Sequence, residues 1–204
     1  MARQAEELEL IVQEFFQLEQ VDIIGFSLGA RIALAIIARN PMLLRNAHLT
    51  GISAERDDMA KNIFASWADM LSSDGSSSLK SFARSILMSS FTKQFIERND
   101  EERVSMWVDQ ICENNQQNGL LRLLEQTKDV DPIDFVDQVK ASQTRIQLAV
   151  GDEDVLASPK QVERLNEELG LATSVLQYEG CGHAVMNENP RQWRKDVLAF
   201  LNGA

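Results

Sequence analysis

One pentapeptide, Gly25-Phe26-Ser27-Leu28-Gly29, constrains this chain more than any other segment. It follows the largely apolar residues 21–24 and precedes residues 30–38, whose composition predicts a buried helix. The segment is therefore predicted to form a strand, a sharp turn that carries a serine, and a helix. A turn of this kind lifts one hydroxyl out of the end of a sheet and directs it toward solvent. Ser27 is thus the first candidate for chemistry.

Each position of the turn has a physical requirement. The serine is expected to have a positive φ, and we expect side chains two residues before and after it to clash, which explains Gly25 and Gly29. The amide of Leu28, at the positive end of the following helix, could stabilise negative charge on a substrate oxygen. Glycine-bearing turns also match this pattern by chance. The flanking strand and helix favour the chemical interpretation.

A serine hydroxyl needs a base, and the chain has only 2 histidines. His183 lies in a glycine-rich loop, between a predicted strand at 173–177 and a predicted helix at 190–201. His48 lies in the short run 47–51, which predicts a buried strand and a histidine of the core. We therefore predict that His183 is the base.

An acid is needed to orient the histidine, and residues 151–159 follow a predicted strand at 145–150. Asp152, Glu153 and Asp154 compete for this role. With any of them, the chain order is serine, acid, histidine, which is the order given for α/β-hydrolases and differs from that of chymotrypsin and subtilisin.

These motifs together resemble the α/β-hydrolase superfamily. Gly151-Asp152-Glu153-Asp154 is similar to the G-x-x-D acid turn of that superfamily, which places the acid on Asp154 rather than Asp152. Gly182-His183, followed by a closing amphipathic helix, is similar to its histidine loop. The resemblance implies a mostly parallel sheet flanked by helices, a catalytic triad of Ser27, Asp154 and His183, and an oxyanion contact from the amide of Leu28.

The sequence departs from the superfamily before the serine turn. The resemblance implies several strands and an oxyanion loop upstream, but residues 4–18 predict a single amphipathic helix. Its apolar positions are Leu8, Ile11, Val12, Phe15 and Leu18. We therefore expect the N-terminal part of the sheet to be missing, the second oxyanion donor to have no counterpart, and an exposed sheet edge that favours self-association.

Residues 53–140 show helical patterns only. By resemblance they form a helical lid over the active site, so the chain is interpreted as one partial α/β-hydrolase domain, 1–204, with this insertion. Basic residues of the insertion, such as Arg84, Lys93 and Arg122, could meet a substrate carboxylate, or they could be ordinary solvated residues of helix surfaces.

Composition excludes several classes of function. The formal net charge of −11 argues against binding to nucleic acid or to anionic membranes. We find no candidate membrane span and no signal-peptide pattern, and therefore expect a cytoplasmic protein. Cys112 and Cys181 have neither disulfide nor metal-ligand spacing, and Cys181 is interpreted as a small residue in a tight loop rather than a nucleophile. No metal or organic cofactor is expected.

The resulting prediction is a serine hydrolase that cleaves a small to medium carboxylic ester, lactone or thioester through an acyl-enzyme. Two alternatives remain. The same three residues could support C–C bond hydrolysis or MenH-like lyase chemistry, or the chain could be a ligand-binding or scaffold protein of this fold without catalysis.

Overall fold

The computed structural model describes residues 2–73, 75, 77–128 and 130–203. Within these residues the chain forms one parallel sheet of four strands in the order β1-β2-β3-β4. The strands are Val21–Phe26, Leu44–Thr50, Arg145–Gly151 and Leu176–Tyr178. The prediction of a mostly parallel sheet flanked by helices is confirmed. Because all four strands are parallel, the loops that follow them lie along one edge of the sheet.

Helices cover both faces of the sheet. The helices outside the insertion are α1 (Ala2–Leu10), α2 (Leu28–Arg39), α9 (Pro159–Leu169), α10 (Val185–Glu188) and α11 (Pro190–Leu201). In β3, Leu148 and Val150 join the core shared with α2 and α9, whereas Ala149 packs with residues around α10 and α11. This alternation is expected, because successive side chains of a strand point to opposite faces.

The helix α2 is buried almost all round, as its sequence predicts. Ala30, Ala33, Leu34, Ile36 and Ile37 are each no more than 2% exposed. A helix that is apolar on every side belongs in a core. Its burial fixes the position of the turn that carries Ser27.

A helical insertion lies between β2 and β3. Its helices are α3 (Asp58–Ser72), α4 (Ser78–Ser90), α5 (Lys93–Glu97), α6 (Glu101–Asn114), α7 (Gln117–Thr127), a short 3-10 helix (Pro132–Phe135) and α8 (Val136–Lys140). Trp67, Leu71 and Phe82 form one apolar cluster that also contains Leu156, from the loop after β3. In contrast, Val136 and Val139 belong to the main core. The end of the insertion is therefore part of the helix layer on the sheet.

The N-terminal segment differs from its predicted pattern. The helix α1 continues as one π-helical turn, Ile11–Phe15, and within α1 only Ala5 is buried. Leu8, Ile11 and Phe15 are 37%, 45% and 78% exposed. In the described part of the chain β1 pairs with β2 alone, so no sheet surface is available to cover these side chains. The prediction of a helix was right, but most of its apolar stripe is not buried.

Among the described helices, none is both long enough and apolar enough to cross a membrane.

Candidate active site

Ser27 occupies the turn between β1 and α2. Its φ is 51° and its ψ is −115°, and its amide donates a hydrogen bond of 2.9 Å to the carbonyl of Thr50 on β2. Its own carbonyl accepts from the amides of Ala30 and Arg31, which begins the helix. The predicted positive φ is confirmed. Hydrogen bonds on both sides of the serine hold the turn in this strained conformation.

The two glycines of the turn have different surroundings. A Cβ at Gly25 would lie 2.7 Å from Cα of Ala30, so only glycine fits there. A Cβ at Gly29 would meet no described atom within 4 Å. The expectation of a clash is therefore right for Gly25 and wrong for Gly29. Gly29 is the second residue of α2, and its missing side chain would project into open space.

His183 lies in the loop between β4 and α10, and its imidazole contacts Ser27. The distance from Nε2 to Oγ of Ser27 is 2.8 Å, and the residue is 5% exposed. The ring packs against that of Phe26, with 4.9 Å between centroids. Gly51 leaves room for the imidazole, since a Cβ there would lie 2.8 Å from Cε1 of His183.

Asp154 contacts the other nitrogen of the imidazole. Its Oδ2 lies 2.7 Å from Nδ1 of His183, and its Oδ1 accepts from the amides of Leu156 and Ala157, both at 2.8 Å. The carboxylate is thereby fixed through both oxygens in a site where the residue is 3% exposed.

Asp152, the competing acid, has a different contact. Its Oδ1 accepts from the amide of Cys181, at 3.2 Å, within the loop that carries His183. The structure therefore brings Asp154 to the imidazole and leaves Asp152 exposed beside the loop.

His48 and Cys181 lie outside this arrangement. His48 is fully buried in β2 against Trp193 and Phe200, and burial lowers its pKa to about 4. The interpretation of His48 as a core histidine agrees with this position. Burial likewise raises the pKa of Cys181 to about 11, so its thiol stays protonated at neutral pH and is a poor nucleophile.

A cavity of about 230 Å³ opens beside Ser27, Leu28 and His183. Its wall is mainly apolar and comes from β1 and from three helices of the insertion. The principal apolar side chains are Phe26, Phe64, Trp67, Phe82, Leu120 and Leu124. As the first residue of α2, Leu28 has an amide without an acceptor inside its own helix, next to the serine hydroxyl. An acyl compound could enter this cavity with its carbonyl between Ser27 and Leu28.

Arg31 and Arg56 also line the cavity, although neither is among the site residues predicted from the sequence. Arg84, Lys93 and Arg122 are all exposed and do not line this cavity, which agrees with their interpretation as solvated residues of helix surfaces. Arg31 did carry a signal, because it is a charged residue in an otherwise apolar helix, four residues after Ser27. Arg56 carried none, since it lies in a loop among other charged residues.

Glu188, at the end of α10, connects the histidine loop to the insertion. One carboxylate oxygen accepts from the amide and the hydroxyl of Thr92, at 2.7 and 2.8 Å. The other oxygen accepts from the amide of Gly182. In addition, the amide of Ala184 donates to the carbonyl of Ser90, at 2.9 Å. The residues on both sides of His183 are therefore hydrogen-bonded to the end of α4 or, through Glu188, to the residue before α5.

Comparisons with known proteins agree with this architecture. Residues 4–190 match the family model described as serine aminopeptidase, S33. Over 111 residues the chain is 30% identical to a pyrrolizixenacetamide deacetylase of Xenorhabdus hominickii. That alignment covers 54% of this chain and 40% of the deacetylase, so the chain spans well under half of this relative.

Two solved structures show the same fold. The α/β-hydrolase MGS-M2, from a deep-sea metagenome library of the Medee basin, superposes with a TM-score of 0.84 at 24% identity, covering 98% of this chain and 70% of that one. The enol-lactonase of Burkholderia xenovorans superposes with a TM-score of 0.80 at 18% identity, covering 99% and 73%.

Proposed function

Because this chain belongs to the serine aminopeptidase S33 family of α/β-hydrolases, we propose that it is a serine hydrolase that cleaves small to medium carboxylic esters, lactones or thioesters. The match confirms the α/β-hydrolase superfamily and the fold that the sequence predicts. The observation that carries the proposal is one continuous chain of hydrogen bonds, from Ser27 through His183 to Asp154, at the wall of an apolar cavity.

In the proposed reaction His183 is the general base. The Nδ1–H of the imidazole donates a hydrogen bond to Asp154, so the unprotonated Nε2 can accept the proton of Ser27 as Oγ attacks the substrate carbonyl. Asp154 then stabilises the imidazolium. Since the amides of Leu156 and Ala157 hold the carboxylate in place, the imidazole is already oriented before substrate binds.

The developing oxyanion would receive a hydrogen bond from the amide of Leu28. The same oxygen would lie at the N-terminus of α2, where the helix dipole favours negative charge. The imidazolium next protonates the leaving group, and a water molecule activated by His183 releases the acyl group from Ser27.

The names of two relatives fit acyl transfer, since one is a deacetylase and the other an enol-lactonase. The helices α3, α4 and α7 contribute most of the apolar wall of the cavity. We propose that the insertion acts as a lid of one partial domain and selects the acyl or leaving group of the substrate.

The proposal is tested by hydrolysis of neutral para-nitrophenyl esters and simple lactones. We expect Ser27→Ala to lose the enzymatic rate and Asp154→Asn to lower kcat/KM by roughly a thousandfold or more, because asparagine cannot hold the required tautomer. Asp152→Asn is the matched control and should keep kcat/KM within about tenfold. Equal losses at Asp152 and Asp154, or activity that survives in Ser27→Ala, would contradict the assignment.

A further inference from the structure

The cavity beside Ser27 contains two buried guanidinium groups. Arg31 and Arg56 are each 7% exposed, and both line the cavity that also contains Ser27 and His183. Arginine is seldom buried without a partner. Arg31 donates from Nη1 to the carbonyl of Val130, at 2.8 Å, and Arg56 donates from Nη1 to the carbonyl of Thr127, at 3.0 Å.

Among the residues that the structure describes, the charges around these two groups do not balance. Oδ1 of Asp131 lies 3.1 Å from Nη2 of Arg31 and 3.8 Å from Nη1 of Arg56. In the part of the chain that the structure describes, Asp131 is the one carboxylate paired with the two guanidinium groups. Desolvation and the neighbouring charge of Arg31 lower the pKa of Arg56 to about 10, which leaves it protonated at neutral pH. A buried cation without a matching anion is costly, and a bound anion relieves that cost.

Arg56 also has hydrogen-bond donors that contact no described residue. All its hydrogen bonds to described residues leave from Nη1, to the carbonyls of Thr127 and Lys128, so Nε and Nη2 have no such partner. The guanidinium carbon lies 4.5 Å from the centroid of the Phe64 ring, which restricts the orientation of the fork. Nε and Nη2 lie along one edge of the planar guanidinium, and two parallel donors of this kind match the geometry of a carboxylate.

The two arginines lie close to Ser27, so an anion bound to them would be near the reacting carbonyl. Arg31 follows Ser27 by one turn of α2, about 6 Å along the helix axis. Arg56 and Phe64 also line a second cavity, of about 350 Å³, together with Lys61, Lys128 and Glu125. Among the described residues, a substrate that reaches from Ser27 past Phe64 therefore meets more positive than negative side chains. This attraction is local, because the formal net charge of the chain is −11.

We propose that Arg56, supported by Arg31, forms an anion subsite, and that the substrate is an acyl compound with a carboxylate a few bonds from the cleaved carbonyl. This inference rests on the proposed function, since it names the substrate class of the same site. Arg56 is thereby a residue that determines specificity. The contrary role, in which both arginines only hold residues 127–131 against the domain, is one outcome of the test.

The test uses matched pairs of esters that differ by a carboxylate or a carboxamide. The first pair is the mono-para-nitrophenyl ester of glutaric acid and that of glutaramic acid, which vary the acyl group. The second pair is para-acetoxybenzoate and para-acetoxybenzamide, which vary the leaving group. For each pair, the ratio of kcat/KM values is measured in the wild type, Arg56→Gln and Arg56→Lys. Arg164→Gln is the control, since Arg164 does not line either cavity, is 42% exposed at its side chain and pairs with Glu55.

The proposal predicts that the wild type prefers the carboxylate in at least one pair. Arg56→Gln should reduce that preference by roughly tenfold or more, because a charge-assisted hydrogen bond is lost, and Arg56→Lys should keep part of it. Arg164→Gln should keep the wild-type ratio. A wild type without preference in either pair, or a preference unchanged in Arg56→Gln or in Arg56→Lys, would overturn the subsite.

The failure of the subsite and the failure of the proposed function are distinguishable. If the wild type hydrolyses none of the four esters, the proposed function fails for them, and binding to Ser27→Ala is measured by calorimetry instead. Tighter binding of the carboxylate members, weakened roughly tenfold by adding Arg56→Lys, would still support the subsite. Equal binding of both members would overturn it.

Discussion

Ser27 has a backbone conformation that few residues other than glycine adopt, with a φ of 51°. The strain places its hydroxyl 2.8 Å from the imidazole of His183. It persists because the amide and the carbonyl of Ser27 both have partners and because α2 is buried beneath the turn. The neighbouring glycines contribute unequally to this geometry.

We expect Gly25→Ala and Gly29→Ala to have effects of opposite sign. At Gly25 a methyl group would lie 2.7 Å from backbone of α2, so the variant should lose about 3 kcal/mol of the free energy of unfolding. At Gly29 the methyl group meets open space, and the higher helix propensity of alanine should add up to about 1 kcal/mol. Urea unfolding measures both variants, and equal destabilisation would contradict this description of the turn.

His48 should make the fold sensitive to acid. Burial lowers its pKa from 6.5 to about 4, so the folded state favours the neutral imidazole. Its contribution is complete above pH 6.5 and is lost as the pH falls toward 4, at a cost of up to about 3 kcal/mol. Urea unfolding across this range should show a steeper loss for the wild type than for His48→Leu, which has no proton to gain there. Parallel curves would show that His48 is not the group responsible.

Single residues of the site were predictable where one motif carried them. The turn around Ser27 and the loop around His183 are local patterns, and the structure brings their side chains together as expected. Asp154 and Asp152 could not be separated by spacing alone, because the choice depends on which carboxylate the amides of Leu156 and Ala157 hold. Arg56 reaches the cavity through a loop conformation that has no sequence signature.

At the scale of elements, the loop that carries His183 depends on the helical insertion. Glu188 accepts hydrogen bonds from Thr92 of the insertion and from Gly182 of the loop, through different carboxylate oxygens. Both carboxylate oxygens therefore act as acceptors. A movement of α4 and α5 would therefore shift the imidazole of His183 through this contact.

Glu188→Gln should slow the chemistry at Ser27 without unfolding the chain. A glutamine can satisfy one partner, but its amide group would then face the other donor, and the histidine loop should shift. We expect the rate of labelling by a fluorophosphonate to fall by roughly tenfold. Glu179→Gln, in the same loop but exposed, is the matched control and should label like the wild type. Equal labelling rates would show that Glu188 does not position His183.

Most helices and strands of the structure lie where the periodicity of the sequence predicts them, but two regions differ. The run predicted as a strand at 145–150 is β3, Arg145–Gly151, whereas the strand predicted at 173–177 forms only at Leu176–Tyr178. Pairing with β3 sets the start of β4, and pairing is not visible in a single sequence. For the same reason, the apolar stripe of the N-terminal helix was recognised, but what it packs against was not.

For the whole molecule, the exposed edge formed by β1 and the N-terminal segment is the surface most prone to association. Phe15, Phe16 and Ile24 are 78%, 59% and 48% exposed, and β1 pairs with β2 alone among the described strands. Exposed apolar groups beside an unpaired strand favour association with another chain.

We therefore predict that the 204-residue chain self-associates in solution in a concentration-dependent manner. Light scattering coupled to size-exclusion chromatography measures its mass, and Phe15→Gln together with Phe16→Gln should shift the distribution toward monomer. Met106→Gln is the control, because Met106 is 48% exposed on the insertion and should leave the distribution unchanged. A monomer at every concentration would contradict the prediction.

The central claim is that Ser27 is an activated nucleophile, and labelling with a fluorophosphonate tests it most directly. The wild type, Ser27→Ala and His183→Ala are treated with the probe and analysed by intact mass and peptide mapping. We predict a single adduct on Ser27 of the wild type, no adduct on Ser27→Ala, and strongly slowed labelling of His183→Ala. A wild type that unfolds cooperatively but takes up no probe at Ser27 would contradict the account and favour a binding role without catalysis.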